Sequence, residues 1–268
     1  MNKLFSLEGK VAIVTGACGL LGKKHCEALA SAGAHVIAAD LDEALAKQFA
    51  HELGDTHMGI ALDVAHDLSV LEVKEAVLER YGKIDVLVNN AAINDMFESP
   101  QLALEKSKFE NYPLAMWRKS IDVNVTGVFL CCQVFGSVMA EAKSGSIINI
   151  ASTYGVVAPD QSIYRDEEGK QKFFKSAAYP TTKGAVISFT KFLAAYWGGS
   201  NIRVNALSPG GVENKQDEFF VRNYNSHTLL GRMAQPTDYQ GALIFLAGDA
   251  SSYMTGANLI VDGGWTAI

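Results

Sequence analysis

The chain is poor in the residues that staple or interrupt a fold. It has four Cys and six Pro in 268 residues. Cys18, Cys26, Cys131 and Cys132 form no C-x-x-C pair, and the adjacent Cys131 and Cys132 lie in an apolar segment of the kind that buries free thiols, so all four are expected to stay reduced. The six His match no zinc-ligand spacing, which argues for solvated or core positions over metal binding. There is no basic tail or Arg-rich run, and a net charge of −6 gives no general reason to attract polyanions. Nucleic acid is therefore not an expected partner. The N-terminal "MNKLFSLEGKVAIV" turns polar before a signal-like core develops, and the apolar stretch "VFLCCQVFGSVMA" reads as too short and too interrupted to span a bilayer. A soluble, cytoplasmic protein is expected, with no membrane partner. No Pro/Gly-rich linker, internal repeat or low-complexity tract marks a boundary, so residues 1–268 are expected to form a single domain.

What is present is an alternation. Apolar runs rich in Val, Ile and Ala ("KVAIVT", "AHVIAAD", "HMGIALDV", "IDVLVNN", "GSIINIAS", "NIRVNALS" and "NLIVDGG") are separated by longer segments of helical period. About seven strands of this kind imply a parallel sheet covered on both faces, and right-handed crossovers make it a doubly wound α/β (Rossmann) fold. Two connections, residues 93–111 and 156–176, are longer than the alternation requires. Both follow strand C-termini, the edge where such sheets bind ligands, so they are expected to act as lids.

The first strand runs into "TGACGLLGKK", with Gly16, Gly19 and Gly22 at the strand-to-helix turn. Glycines there let backbone N–H groups and a helix N-terminus approach a pyrophosphate, and Leu20 and Leu21 open that helix. Asp40 ends the second strand, where a carboxylate can accept hydrogen bonds from ribose hydroxyls. The same carboxylate would repel a 2′-phosphate, and neither Cys18 nor the adjacent Leu41 supplies a compensating positive charge. NAD is the expected cofactor, with NADP disfavoured. Asp63 and Val64, after the third strand, stand where the adenine edge could be reached, although an Asp there is equally an ordinary cap. Lys23 and Lys24 read as solvated helix charges rather than phosphate ligands.

In "AAYPTTKGAV", Tyr179 stands four residues before Lys183, a spacing that puts both on one helical face. Nine Tyr in a Lys-containing chain make one such pair unremarkable by itself. No other Tyr in the chain has a Lys four residues later.

Taken together, "TGACGLLG", "NNAA" (89–92), "DVNVTGVF" (122–129), "INIAS" (148–152), "YPTTK" (179–183), "SPGGV" (208–212) and "TGANLIVDGG" (255–264) resemble, in order and over nearly the whole chain, the single-domain branch of the short-chain dehydrogenase/reductase superfamily. The resemblance implies a catalytic set of Asn124, Ser152, Tyr179 and Lys183. It implies cofactor contacts by Asn90 and Ala91, by Tyr179 and Lys183, and by Pro209, Gly210 and Val212. Asn124 would hold a water linking Lys183 to solvent, and Ser152 would donate a hydrogen bond to the substrate oxygen. The G-x-x-G-x-x-G spacing looks more like the extended, sugar-modifying branch, Ala92 replaces the usual Gly, and Asn214 stands where a Thr is expected. The implied reaction is hydride transfer between a nicotinamide and a secondary alcohol or ketone, with Tyr179 as acid/base. A phenol working near pH 7 needs its pKa lowered by about three units, roughly 4 kcal/mol. One ammonium about 5 Å away supplies roughly 3 kcal/mol of that at an effective dielectric near 20, so Lys183 is expected to make Tyr179 more acidic.

The insertion between Ser152 and Tyr179 is longer than is usual in the superfamily, and its mixed charges read equally as solvated surface or polar lid. The two long loops are loosely similar to those of a bacterial subgroup associated with sugar and flagellin-glycan biosynthesis, which points to a polar, sugar-like substrate. Two other readings are a sugar-nucleotide epimerase or dehydratase with retained NAD, and a non-catalytic dinucleotide-binding protein. The resemblance also implies a homo-oligomer, dimer or tetramer. The apolar C-terminus around Trp265 would close either its own core or a subunit interface.

Overall fold

A computed structural model describes residues 3–94 and 100–268. Strands form in all seven apolar runs: β1 (Val11–Thr15), β2 (His35–Asp40), β3 (Met58–Ala61), β4 (Val86–Asn89), β5 (Gly145–Ile150), β6 (Ile202–Pro209) and β7 (Asn258–Val261). They make one sheet in the order β3-β2-β1-β4-β5-β6-β7, with every neighbouring pair parallel. Winding proceeds outward from β1 to β3, then restarts on the other side with β4. The crevice between β1 and β4 is thus the topological switch point, where strand C-termini leave room for a ligand.

The period-2 alternation of each strand divides its side chains between two cores. Val11, Ile13, Leu87 and Ile147 pack beneath α3 (Asp67–Tyr81), α6 (Gly127–Ala142) and α7 (Ala178–Trp197). Ala12, Val14, Val86 and Ile148 pack beneath α1 (Leu20–Ser31), α2 (Glu43–Leu53) and α9 (Gln240–Ala247). Burial on both faces explains why the runs are almost continuously apolar. Cys26, Cys131 and Cys132 are buried free thiols in these cores, and Cys18 is a partly exposed one.

The expectation for "VFLCCQVFGSVMA" needs correction. It lies in a helical run, Leu114–Ala142, long and apolar enough by length and composition to cross a membrane. The run consists of α5 (Leu114–Ile121), a π-helical segment (Asp122–Thr126) and α6, and Cys131, Cys132, Phe135 and Met139 are buried in the first core. The apolar face answers to the sheet, and the helix continues through the polar residues that suggested an interruption.

Of the two long connections, 156–176 is ordered against the rest of the fold. It contains a 3₁₀ turn (Gln161–Tyr164) and a short antiparallel bridge between Arg165 and Gln171. It docks on α8 (Glu218–Ser226): Asn223 donates to the carbonyls of Ile163 and Arg165, Arg222 pairs with Glu167, and His227 meets Asp160 at 2.9 Å. A third core of Ile163, Tyr224, Met233 and Trp265 lies between them, so the C-terminal Trp265 closes its own core. The other connection holds α4 (Pro100–Ser107) and a 3₁₀ turn (Phe109–Asn111). The lid expected over 93–111 falls partly on residues 95–99, outside the described residues.

Candidate active site

The switch point opens into two adjoining cavities of about 800 and about 500 Å³, which share Leu20, Leu21, Asn90 and Ala92. The larger is lined by Gly16, Gly19 and Gly22, by Asp40 and Leu41, by Asp63 and Val64, and by Ala91. The smaller is lined by Ser152, Tyr179 and Lys183 and by Pro209, Gly210 and Val212. Residues read from distant parts of the sequence thus share one continuous space.

The three glycines do different things. Gly16 has a φ of +62°, and a Cβ there would sit 2.8 Å from the Cα of Ala91. A Cβ on Gly22 would lie 2.1 Å from the Gly16 carbonyl oxygen, so Gly22 lets α1 settle on the turn. Gly19 caps α1 with no side-chain hydrogen bond, leaving the first helical N–H groups to the cavity. The turn is braced from β4: the Asn90 side-chain amide donates to the carbonyls of Thr15 (2.9 Å) and Gly16 (3.0 Å), and the Thr15 hydroxyl accepts from the N–H groups of Asn90 and Ala91. An open helix N-terminus beside a glycine cradle fits a pyrophosphate, and the Asp40 carboxylate at the end of β2 fits a ribose diol.

Other expectations on this side resolve simply. Asp63 lines the cavity but also accepts from Ala65 N–H at 2.9 Å, so it is a turn former as well as a wall. Lys24 pairs with Glu27, and Lys23 lies 5.6 Å from the Phe49 ring centroid. Lys119 and Asp122 line the cavity without having stood out in the sequence.

Ser152 lies two residues beyond β5 and caps a 3₁₀ turn (Thr153–Gly155), its oxygen accepting from Tyr154 N–H at 3.2 Å. A Cβ on Gly155 would meet the Lys183 backbone at 2.8 Å, so this glycine allows the Ser152 turn to press on α7. Pro180 in the first turn of α7 is tolerated because no helical donor is needed there. Lys183, 4% exposed, donates to the Ile150 carbonyl at 2.7 Å, and its Nζ lies 5.8 Å from the Tyr179 ring centroid. Asn124, buried in the π-helical segment, accepts from Ile93 N–H (2.8 Å) and donates to the Ile93 carbonyl (2.9 Å) and to Thr182 Oγ1 (3.2 Å). What Asn124 visibly does is clamp the chain leaving β4 against α7.

The electrostatics differ from the sequence expectation. Burial pushes the Tyr179 phenol up from its ordinary value, and the hydrogen bond with Ser152 pulls the other way. The same burial lowers the Lys183 pKa to about 8. Enclosure penalises phenolate and ammonium alike. Asn214, expected to replace a Thr, is exposed; its N–H is bound by Gln216, and Gln216 lines the smaller cavity instead. Tyr154, Tyr164, Lys175, Phe220 and Tyr224 also line that cavity without having been singled out.

Known proteins resemble this chain in sequence and fold. A family profile described as "Enoyl-(Acyl carrier protein) reductase" matches residues 16–266. A D-threitol dehydrogenase of Mycolicibacterium smegmatis is 36% identical over 271 residues, covering 98% of this chain and 95% of the relative. This chain belongs to the short-chain dehydrogenase/reductase family. A 3-alpha-(or 20-beta)-hydroxysteroid dehydrogenase of Mycobacterium tuberculosis is 35% identical, covering 97% of this chain and 91% of the relative. Among solved structures, a gluconate 5-dehydrogenase from Burkholderia cenocepacia in complex with NADP and tartrate superposes with a TM-score of 0.86 at 31% identity, covering 99% of this chain and 98% of the other. This short-chain dehydrogenase/reductase is an oxidoreductase of the dehydrogenase class.

Proposed function

We propose that the protein is an NAD-dependent alcohol/carbonyl oxidoreductase acting on a polyol or other sugar-like substrate, with both sites in one domain spanning residues 1–268. The observation that carries this reading is the meeting of Ser152, Tyr179 and Lys183 in a cavity that opens into the glycine-lined one. A nicotinamide dinucleotide bound along Gly16, Gly19, Leu20, Leu21, Gly22, Asp40, Leu41, Asp63, Val64, Asn90, Ala91, Pro209, Gly210 and Val212 supplies hydride chemistry at carbon.

The chain's own residues handle the oxygen. Ser152 donates a hydrogen bond to the substrate oxygen and stabilises alkoxide character. Tyr179 takes the hydroxyl proton in oxidation and returns it in reduction. Lys183, anchored on the Ile150 carbonyl, holds positive charge behind the phenol, and Asn124 fixes the chain beside it. Asp40 favours NAD by accepting from the ribose and repelling a 2′-phosphate. The D-threitol and gluconate relatives, together with the Tyr, Lys and Gln walls of the smaller cavity, support a polar substrate. A soluble cytoplasmic homo-oligomer is part of the same proposal.

The test is absorbance at 340 nm with a panel of polyols, sugars, small ketones and steroids, each with NAD and with NADP. Turnover of polyols with NAD is expected. Turnover of steroids or apolar ketones while polyols stay inert would overturn the substrate assignment, and a clear NADP preference would overturn the cofactor assignment.

A further inference from the structure

The long connection before α7 delivers a second ammonium to the proposed acid/base. Lys175 Nζ lies 4.3 Å from the Tyr179 ring centroid and 6.0 Å from that of Tyr154. Asn94, on the segment after β4, holds it through Oδ1 at 2.5 Å. Lys175 is half-buried and lines the smaller cavity, where Lys183 is the only other charged side chain among the described lining residues.

We propose that Lys175 is a positioning residue for the proton-transfer step, its ammonium stabilising negative charge as it develops on the Tyr179 oxygen. The inference rests on the reading of Tyr179 as acid/base. It follows from a contrast between the two lysines. Lys183 is enclosed at the end of β5 and its charge is opposed by burial, whereas Lys175 sits over the ring face with partial access to solvent. A cation over a phenol ring is attracted to it more strongly as the ring gains negative charge.

Among the described residues, the other polar groups around Tyr179 are few. Lys183 comes from α7, Ser152 from just beyond β5, Tyr154 from the following turn, and Tyr164 from the insertion. Asp160, the acidic neighbour of Tyr154, is bonded to His227. Among the described residues, Lys175 and Lys183 are the cations that lie within 6 Å of the Tyr179 ring centroid.

The test is the pH dependence of kcat/KM for alcohol oxidation in the parent, K175M and K175R. Losing the cation disfavours phenolate, so the rising limb should move to higher pH by roughly half to one unit. K175M should then be several-fold slower on the acid side and converge with the parent on the alkaline plateau, with K175R close to the parent. A K175M limb at the parent's midpoint, whatever its height, overturns the role. K175Q, with a thermal melt alongside, carries the same comparison if K175M does not fold. A readout without turnover is the alkaline phenolate absorbance that Y179F removes, whose midpoint should rise in K175M. Full activity in Y179F would overturn the acid/base reading itself; an inactive Y179F with an unmoved K175M limb would overturn only the part assigned to Lys175.

Discussion

The carboxylate of Asp40 accepts a hydrogen bond from the backbone N–H of Cys18 at 2.8 Å. The group proposed to select the cofactor is thus tied to the turn proposed to hold its phosphates. Charge and tether can be separated experimentally. D40N keeps an acceptor for Cys18 while losing the charge, and D40A loses both. A charged hydrogen bond contributes about 2 kcal/mol, so kcat/KM with NAD should fall roughly thirty-fold in D40A. D40N should show the larger relative gain with NADP, because its turn is intact. Initial rates with both cofactors decide the matter; unchanged NAD kinetics in D40A would remove Asp40 from the site.

Y179F keeps the ring that packs beside Lys175 and Lys183 and removes only the hydroxyl. Activity should fall at least 100-fold, the usual contribution of a positioned acid/base, with circular dichroism unchanged. S152A should cost about as much through lost stabilisation of the substrate oxygen. Rates within a few-fold of the parent for Y179F would favour another proton carrier.

His25 is fully buried in α1; the Asn90 side chain is its polar neighbour, but among the described residues neither ring nitrogen makes a hydrogen bond of good geometry. Burial lowers its pKa to about 4 from an ordinary 6.5. The unfolded chain therefore binds a proton between those values that the folded chain refuses. Stability is intact above about pH 6.5 and falls as pH drops toward 4, by about 3 kcal/mol in all. Urea unfolding of H25L should lose most of this acid slope and match or exceed the parent at pH 7, since a buried ring without a hydrogen bond of good geometry is replaced by an apolar side chain. An unchanged slope between pH 6.5 and 4 would mean that His25 is not its source.

Phe192 and Tyr196 stand 60% and 69% exposed on α7 and form a stacked ladder with Phe189, which also meets Phe129 on α6. With Trp265 committed to its own core, this aromatic face is the surface most in need of cover for the proposed oligomer. Light scattering should give two or four times 28.8 kDa for the parent and a mass near 28.8 kDa for F192D/Y196D. A parent already at the monomer mass would rule out the association.

The seven strands were legible because burial on both faces leaves little room for polar residues in a parallel sheet. The run "HMGIALDV" promised more than β3 delivers: the strand stops at Ala61, although Leu62 N–H still bonds the Asp40 carbonyl. Ser152, Tyr179, Lys183 and the glycine turn were legible through their family pattern. Their electrostatics were not. Spacing reveals that Tyr179 and Lys183 share a helical face, but not that burial raises the phenol's pKa and lowers the amine's.

The substrate side was harder to read for a different reason. Tyr164 and Lys175 belong to an insertion whose shape depends on contacts with α8 through Asn223, Arg222 and His227, residues some 50 positions or more away along the chain. Nothing local in "SIYRDEEGKQKFFKS" indicates that partner. Asn124 was named in the sequence only through the family pattern. Its double bond to Ile93 became visible only with the tertiary fold.

The π-helical segment at Asp122–Thr126 widens one turn by about a residue. Deleting a single amino acid there would let the turn close to an ordinary α turn, keeping Cys131, Cys132, Phe135 and Met139 on the sheet but taking away the wide turn that carries Asn124 to Ile93. The extra residue thus serves the cleft rather than the keel, and shortening this stretch would be felt at the amide clamp before it was felt in the packing.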